Sequence, residues 1–531
     1  MIYSTWPILT ILTFFPIVAC ILLVFFKSDK AVRWFTLFVG LIELLLALPL
    51  FGFDSSFSGY QFVEKADWIP AWGLSYFLGM DGISLLMVLL TVLLLPLCVL
   101  CSWTYIHYRL KEFHFSLLLM TSACVGVFVS LDFVLFYIFW EAMLVPMFLL
   151  IDVWGGPDRR YASLKFFLYT LAGSTLLLVA IVAYYKQGGT FAIPELANRS
   201  YSFGFQYWTF LAMAIAFAIK VPMFPFHTWL PAAHVEAPTA GSVLLASILL
   251  KMGAYGFLRL CLPLAPLASV HFAPMMIAVS VASILYGGLV ALGQKDMKKL
   301  IAYSSVAHMG FVTMGIFMFT LRGLEGALMV MLNHGITTGA LFMLVGAIYE
   351  RSHSRQIVDN MGLGKYLPGY MFFFGLFALS SLGFPGTNSF VGELLVLIGV
   401  FAKNPWVGAA IIPGVMLGAA YMLRLGQKLA WGEPTKAKGW PDLNMREWLY
   451  FAPLAVLVLY IGLSPGATLR AIDPTLTKVL EEFKNRSGPE ITLTEDFRLL
   501  DSTGKQLSAM DLQIRRTTTA AASLKENPSE F

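Results

Sequence analysis

Between Pro7 and Ser464 this chain is built almost wholly of apolar runs, each about as long as a bilayer is thick. A hydrocarbon core about 30 Å deep takes roughly 20 helical residues, and inside it every backbone N–H and C=O must be satisfied by the protein itself. The runs fall near 7–26, 31–51, 80–106, 113–130, 132–154, 162–185 and 206–222, the last interrupted and resuming at about 226. Seven more lie near 240–261, 272–293, 298–320, 323–349, 368–402 (interrupted), 408–430 and 447–465. The pattern predicts an all-α polytopic membrane protein of about fourteen transmembrane helices. Composition agrees: 58% of residues are hydrophobic and 13% charged, against roughly 25% charged in soluble domains. A net charge of +5 gives no argument for nucleic acid. Met1 to Phe26 lacks a basic leader and a small-residue cleavage site, so it is expected to remain as the first span. After Ser464 the hydropathy drops, and 465–531 is expected to be a polar tail, surface-lying or disordered, with LEEFK as a short helix.

Alternate counting of the spans sorts the basic residues. One side receives eighteen, from Lys27, Lys30 and Arg33 to Lys436, Lys438 and Arg446; the other receives six, Lys65, Lys186, Arg199, Arg259, Arg322 and Lys403. Positive-inside bias puts the richer side in the cytoplasm and both termini outside. The five cysteines all lie in or at the end of apolar segments. Cys98 and Cys101 form a C-x-x-C without the further ligands that a zinc or iron–sulfur site requires, so they read as buried thiols.

The polar residues inside the runs carry the chemistry. Lys220 and Lys251 bracket the stretch from Ala218 to Gly256. A lysine near the bilayer centre costs roughly 2.5–3.5 kcal/mol on insertion scales, so one that persists has a partner, water or a task. Pro222 cannot donate to Ala218 O, nor Pro225 to Val221 O, so the helix carrying Lys220 is expected to break just beyond the lysine. A second break is expected at Gly383-Phe384-Pro385-Gly386, after which the helix resumes with Glu393 inside it. Paired interruptions are the sequence pointer to inverted-repeat transporters with a midplane site. The expected units are 1–112 (helices one to three), 113–261 (first repeat, helices four to eight), 262–431 (second repeat, helices nine to thirteen), 432–464 (last helix) and 465–531 (tail).

Glu141 lies deep in FYIFWEAMLVPMF, and pairing with Lys220 would lower the cost of both charges. Lys251 follows Ser247 by one turn and has no obvious acidic partner. His308, one turn after Ser304, and His334, with Thr337 and Thr338 on its face, are expected to extend a hydrogen-bonded path, since imidazole exchanges protons near neutral pH. His227 is expected to support the first break. Glu43 and Asp81 also fall in apolar runs, with no assigned role.

The stretches WEAMLVPM around Glu141, IKVPMFPFHTWLPAAHVEAPTAGSVLLASILLKMGAYG around both lysines, SSVAHMG, LNHGITTGALF and GFPGTNSFVGELL around Glu393 together resemble the NuoM family. These are the chain M antiporter-like subunits of proton-pumping NADH-quinone oxidoreductase, respiratory complex I. The similarity runs from the first span to about Ser464, and glutamate at 393 matches chain M where related subunits carry lysine. The resemblance implies a proton-translocating subunit of a bacterial inner (cytoplasmic) membrane. In it Glu141 and Lys220 form the ion pair of the first half-channel, Lys251 is the central relay, His308 and His334 continue the axis, and Glu393 ends it. It implies no cofactor on this chain, with NADH, flavin, iron–sulfur clusters and quinone handled by other subunits. The partners implied are neighbouring antiporter-like chains and lipid. A cation/proton antiporter or membrane-bound hydrogenase subunit is the nearest alternative; a structural membrane scaffold and a redox or quinone-binding enzyme are the others.

Overall fold

The computed structural model describes residues 1–432, 437 and 439–487, and the backbone of 492–493 and 499–500. Twelve of its helices are long and apolar enough to cross a membrane among the described residues. In chain order the helices are α1 (Ile8–Leu23), α2 (Asp29–Leu46), α3 (Gly82–Ser102), α4 (Leu110–Val129), α5 (Phe133–Trp154) and α6 (Arg159–Gly188). There follow α7 (Phe203–Lys220), α8 (Trp229–Glu236), α9 (Thr239–Leu264), α10 (Pro266–Leu292), α11 (Met297–Phe317) and α12 (Leu321–Ser352). The series ends with α13 (Pro368–Ser381), α14 (Asn388–Lys403), α15 (Pro405–Ala430), α16 (Met445–Leu463) and α17 (Gly466–Ser487). Of these, α1 and α13 are apolar but short. The helical membrane bundle expected from the apolar runs is therefore the observed architecture.

Two features lay outside that expectation. Residues between the second and third spans form a β-hairpin, β1 (Gln61–Ile69) against β2 (Leu74–Met80), antiparallel, with Gly73 at φ +66° in its connection. It pairs through Val63 with Tyr3 of the chain's beginning. The fold is thus helical with a hairpin on one face, rather than purely α. The tail begins as a 22-residue helix, α17, longer than the LEEFK segment. Its apolar stripe, Ile472, Leu476, Leu480 and Phe483, is buried. Thr475 accepts from Gly82 N at 3.1 Å, Phe483 packs on Phe319 at 4.5 Å, and Arg486 donates to Asn198 Oδ1 at 2.9 Å. So α17 straps the hairpin face across the ends of several helices. Thr492–Leu493 and Leu499–Leu500 pair antiparallel; the rest of the tail, with Lys436 and Lys438, lies outside the described residues.

The two helix breaks fall where the prolines put them. α7 ends at Lys220. With no N–H on Pro222, Ala218 O accepts instead from Met223 N at 2.8 Å, and Ile219 O accepts from the indole of Trp229 at 2.8 Å. Ser283 of α10 accepts from Phe224 N at 2.9 Å. The unwound carbonyls and amides are thus met by protein, as backbone at this depth requires. α8 resumes at Trp229, a few residues later than expected. His227, buried in the gap, stacks on Phe224 and lies edge-on to Tyr286.

The second break closes α13 with a paired backbone motif: Phe384 N donates to Leu379 O at 3.0 Å and Gly383 N to Ser380 O at 3.0 Å, with Gly383 at φ +72°. That is a Schellman ending, which favours glycine in the left-handed position. Asn388, the first residue of α14, fixes the restart. Its Oδ1 accepts from Ser380 Oγ at 2.6 Å and its carbonyl from Asn333 Nδ2 of α12 at 2.7 Å.

Candidate functional site: a buried polar axis

α9 carries Lys251 through the interior; every residue of its 18-residue apolar window is buried. It is not a plain α-helix. Leu245–Leu249 and Phe257–Cys261 wind as π turns, a local widening frequent at functional sites. Ala246, inside the first π turn, accepts from Lys251 Nζ at 2.5 Å. α12 lies against this helix, with Ser247 Oγ donating to Gly335 O at 2.7 Å. The close approach brings His334 Nδ1 to 2.6 Å from Lys251 Nζ. The partner that the sequence did not supply for Lys251 is therefore an imidazole.

From His334 the path continues to α11. The rings of His334 and His308 stand 5.6 Å apart between centroids. His308 Nδ1 lies 3.1 Å from Glu393 Oε1 of α14, and Tyr421 OH of α15 lies 3.4 Å from His308 Nε2. Lys251, His334, His308 and Glu393 are all buried. A polar cavity of about 10 Å³ sits among His308, His334, Thr337, Thr338, Ser389 and Glu393, room for about one water. Gly383 closes one side of this group. A side-chain carbon placed on it would come within 2.7 Å of Glu393 Oε2, so the break turns with a glycine and also leaves room for the carboxylate.

The first half is arranged differently. Lys220 is 1% exposed and Glu141 half-buried, yet no salt bridge joins them among the described residues, and neither Lys220 Nζ nor Glu141 Oε1 has a hydrogen-bond partner. The ring of Trp140 sits 5.0 Å from Lys220 Nζ, so an aromatic face meets the ammonium. The turn beyond Glu141 is interrupted at Met143, between helical stretches Phe133–Ala142 and Leu144–Trp154, as Pro146 cannot donate to Ala142 O. Of the six residues singled out in the sequence, four form one connected chain and two stand near it without touching.

Several buried charged residues have partners or places that the sequence did not assign them. Asp81 caps α3 through Ile83 N and Ser84 N and also pairs with Arg259 at 2.6 Å. Arg259, counted above as a loop base on the sparse side, is 5% exposed within α9 and also donates to the hydroxyls of Tyr255 and Tyr60. Lys298 is likewise buried, donating to Ala237 O at 2.7 Å where α8 ends. Glu43 is fully buried with both carboxyl oxygens lacking a partner among the described residues. No group of three or more His, Cys, Asp or Glu able to hold a metal occurs among the described residues.

Broken helices facing one another across a buried lysine–histidine–glutamate line define a membrane subunit of the antiporter-like class. Residues 130–418 match the family described as NADH:quinone oxidoreductase/Mrp antiporter, TM. NADH-quinone oxidoreductase subunit M of Rhodobacter capsulatus is 45% identical over 498 residues, covering 90% of this chain and 97% of that one. A chain in the structure of respiratory complex I from Thermus thermophilus with bound NADH superposes with a TM-score of 0.82 at 33% identity, over 90% of this chain and all of that one. A chain of the Mrp complex from Dietzia sp. DQ12-45-1b shares the fold, with a TM-score of 0.78 at 20% identity over 98% of this chain and 60% of that one. The chain belongs to the subunit M family of NADH-quinone oxidoreductase, and it is an integral membrane protein of a multi-subunit oxidoreductase complex.

Proposed function

We propose that this chain translocates protons for NADH-quinone oxidoreductase, using quinone reduction elsewhere in the complex to drive protons along Glu141, Lys220, Lys251, His334, His308 and Glu393. The observation that carries the reading is the buried series from Lys251 Nζ to His334, across a ring contact to His308, and on to Glu393 Oε1. Each member can take up a proton and give it up again, one N–H or O–H bond breaking as the next forms, directly or through one water between them. No redox centre is required of this chain.

Lys220 and Glu141 supply the input. A charge change arriving from the neighbouring antiporter-like subunit shifts the balance between the Glu141 carboxylate and the Trp140 face around the ammonium, and Lys220 passes its proton toward Lys251. Lys251, held by Ala246 O, delivers to His334, and Glu393 receives from His308. Repulsion from the next proton helps release outward. In this reading about fourteen spans contain two inverted five-helix repeats, 113–261 and 262–431. The chain lies in a bacterial inner membrane with both termini on the periplasmic side, consistent with the loop-charge bias.

The test is Lys251→Ala in the assembled complex, reconstituted in vesicles, with proton pumping measured beside quinone reductase activity and assembly checked on native gels. Pumping is expected to be lost with assembly intact. Wild-type pumping by this variant would remove the axis from the mechanism and leave the buried charges as a scaffold.

A further inference from the structure

Between α2, α3 and α16, away from the polar axis, the surface opens into an apolar groove of about 1260 Å³ whose floor is formed by Leu332 of α12. Leu45, Leu89, Ala452 and Val456 line its walls, and the first turn of α17 crosses its end on the hairpin face. The residue just past that turn, Arg470, also lines the groove; it is exposed and has no salt bridge or hydrogen bond among the described residues. The α3 wall runs from Leu85 to Leu93, about 12 Å of helix. The hydrocarbon of one leaflet is about 15 Å deep, half of the 30 Å core. Only α16 carries the lining on toward the opposite face, to Met445.

We propose that this groove is a binding site for one anionic phospholipid of the leaflet on the hairpin face, its acyl chains along α3 and α16 and its phosphate on Arg470. Two observations select a lipid over a helix of a partner subunit. Where α3 and α16 both wall it, the groove is one leaflet deep, whereas a partner helix must traverse the whole core. The lone guanidinium stands where the apolar wall meets the interface, and a single amphiphile satisfies both, since arginine forks onto phosphate oxygens. The chains cover the apolar wall left open beside the α16 face, and the headgroup ties α17 to the bilayer surface. The proton axis takes no part.

The test places photoreactive benzoylphenylalanine at Ala452 in the intact complex within its own membrane, irradiates it, and weighs this subunit. An adduct with the mass of an anionic phospholipid is expected. With Arg470→Glu added, that adduct should fall about fivefold, the upper range for an exposed ion pair, while Arg470→Lys should retain it. A polypeptide adduct, no adduct, or an anionic-lipid yield unchanged by Arg470→Glu in complex that assembles normally would each overturn the proposal.

Discussion

The two helix breaks solve one backbone problem with different side-chain surroundings. Both α7 and α13 end with an amide donating five residues back, Met223 to Ala218 and Phe384 to Leu379. At the second, glycine adds the companion bond, and the vacant side-chain position lets Glu393 approach to touch His308. At the first, proline removes that companion bond, and Lys220 is left against an aromatic ring with its charged counterpart out of reach. One half is a wired end and the other an open switch. On the proposed function, a wired end fixes where a proton waits, and an open switch responds to whatever moves Trp140, Glu141 or Lys220 by a small distance.

The strongest way to break this comparison is Glu393→Gln. The amide keeps the size and some hydrogen bonding but cannot cycle a proton, so pumping in assembled complex should drop about a hundredfold, the low end of what a lost proton-transfer group costs. Pumping at the wild-type rate would mean that the wired end is only structural. Glu393→Lys, tested alongside, should keep partial pumping if any ionisable group serves there.

Next come Glu141→Ala and Lys220→Ala, each expected to lower coupled quinone reduction and pumping about tenfold by removing one side of the switch. Glu141→Asp should exceed Glu141→Gln in pumping; the reverse order would assign Glu141 to packing. Gly383→Ala should cost about 1–2 kcal/mol of stability from the left-handed backbone. It should also push Glu393 off His308, seen as lower pumping at normal subunit content. Unaltered pumping would show that the break tolerates a side chain and that the close approach does not matter. Smallest of all, Trp140→Phe weakens the ring contact with Lys220 by about 0.5–1 kcal/mol, and a two- to fivefold change in pumping without loss of assembly would sharpen the switch. No change would leave the ring as packing alone.

What could be read from the residue string was whatever breaks a local rule. A proline after a lysine in an apolar run, a Gly-Phe-Pro-Gly in another, and isolated histidines and glutamates all announce themselves against leucine and valine. The helical bundle and both breaks were legible for that reason, and so were Lys251, His308, His334 and Glu393, the four residues that the fold brings together. Pairings across the bundle were not. Asp81 and Arg259 are 178 positions apart in number and only 2.6 Å apart in space. Arg259 sits near the end of its apolar run, where a buried base looks like a loop base. The π turns around Lys251 are a shift in backbone hydrogen bonding that no side chain in LASIL or FLRLC signals. Two charges at membrane depth suggest contact, and nothing in the residue string signals that Lys220 lies instead against the Trp140 ring.

The 32-residue helix α12 has every residue of its apolar window inside the protein. It carries Arg322 and Glu325 near one end, Asn333 and His334 in the middle and Arg351 near the other, and Arg351 holds both carboxylate oxygens of Glu447 at 2.7–2.8 Å. In lipid alone such a helix would face the acyl chains with polar groups that only its neighbours satisfy. In the fold those groups are met by the helices around it, Asn333 by Asn388 O of α14 and Arg351 by Glu447 of α16. The segment that carries His334 into the buried axis is thus one whose polar groups depend on the helices packed around it.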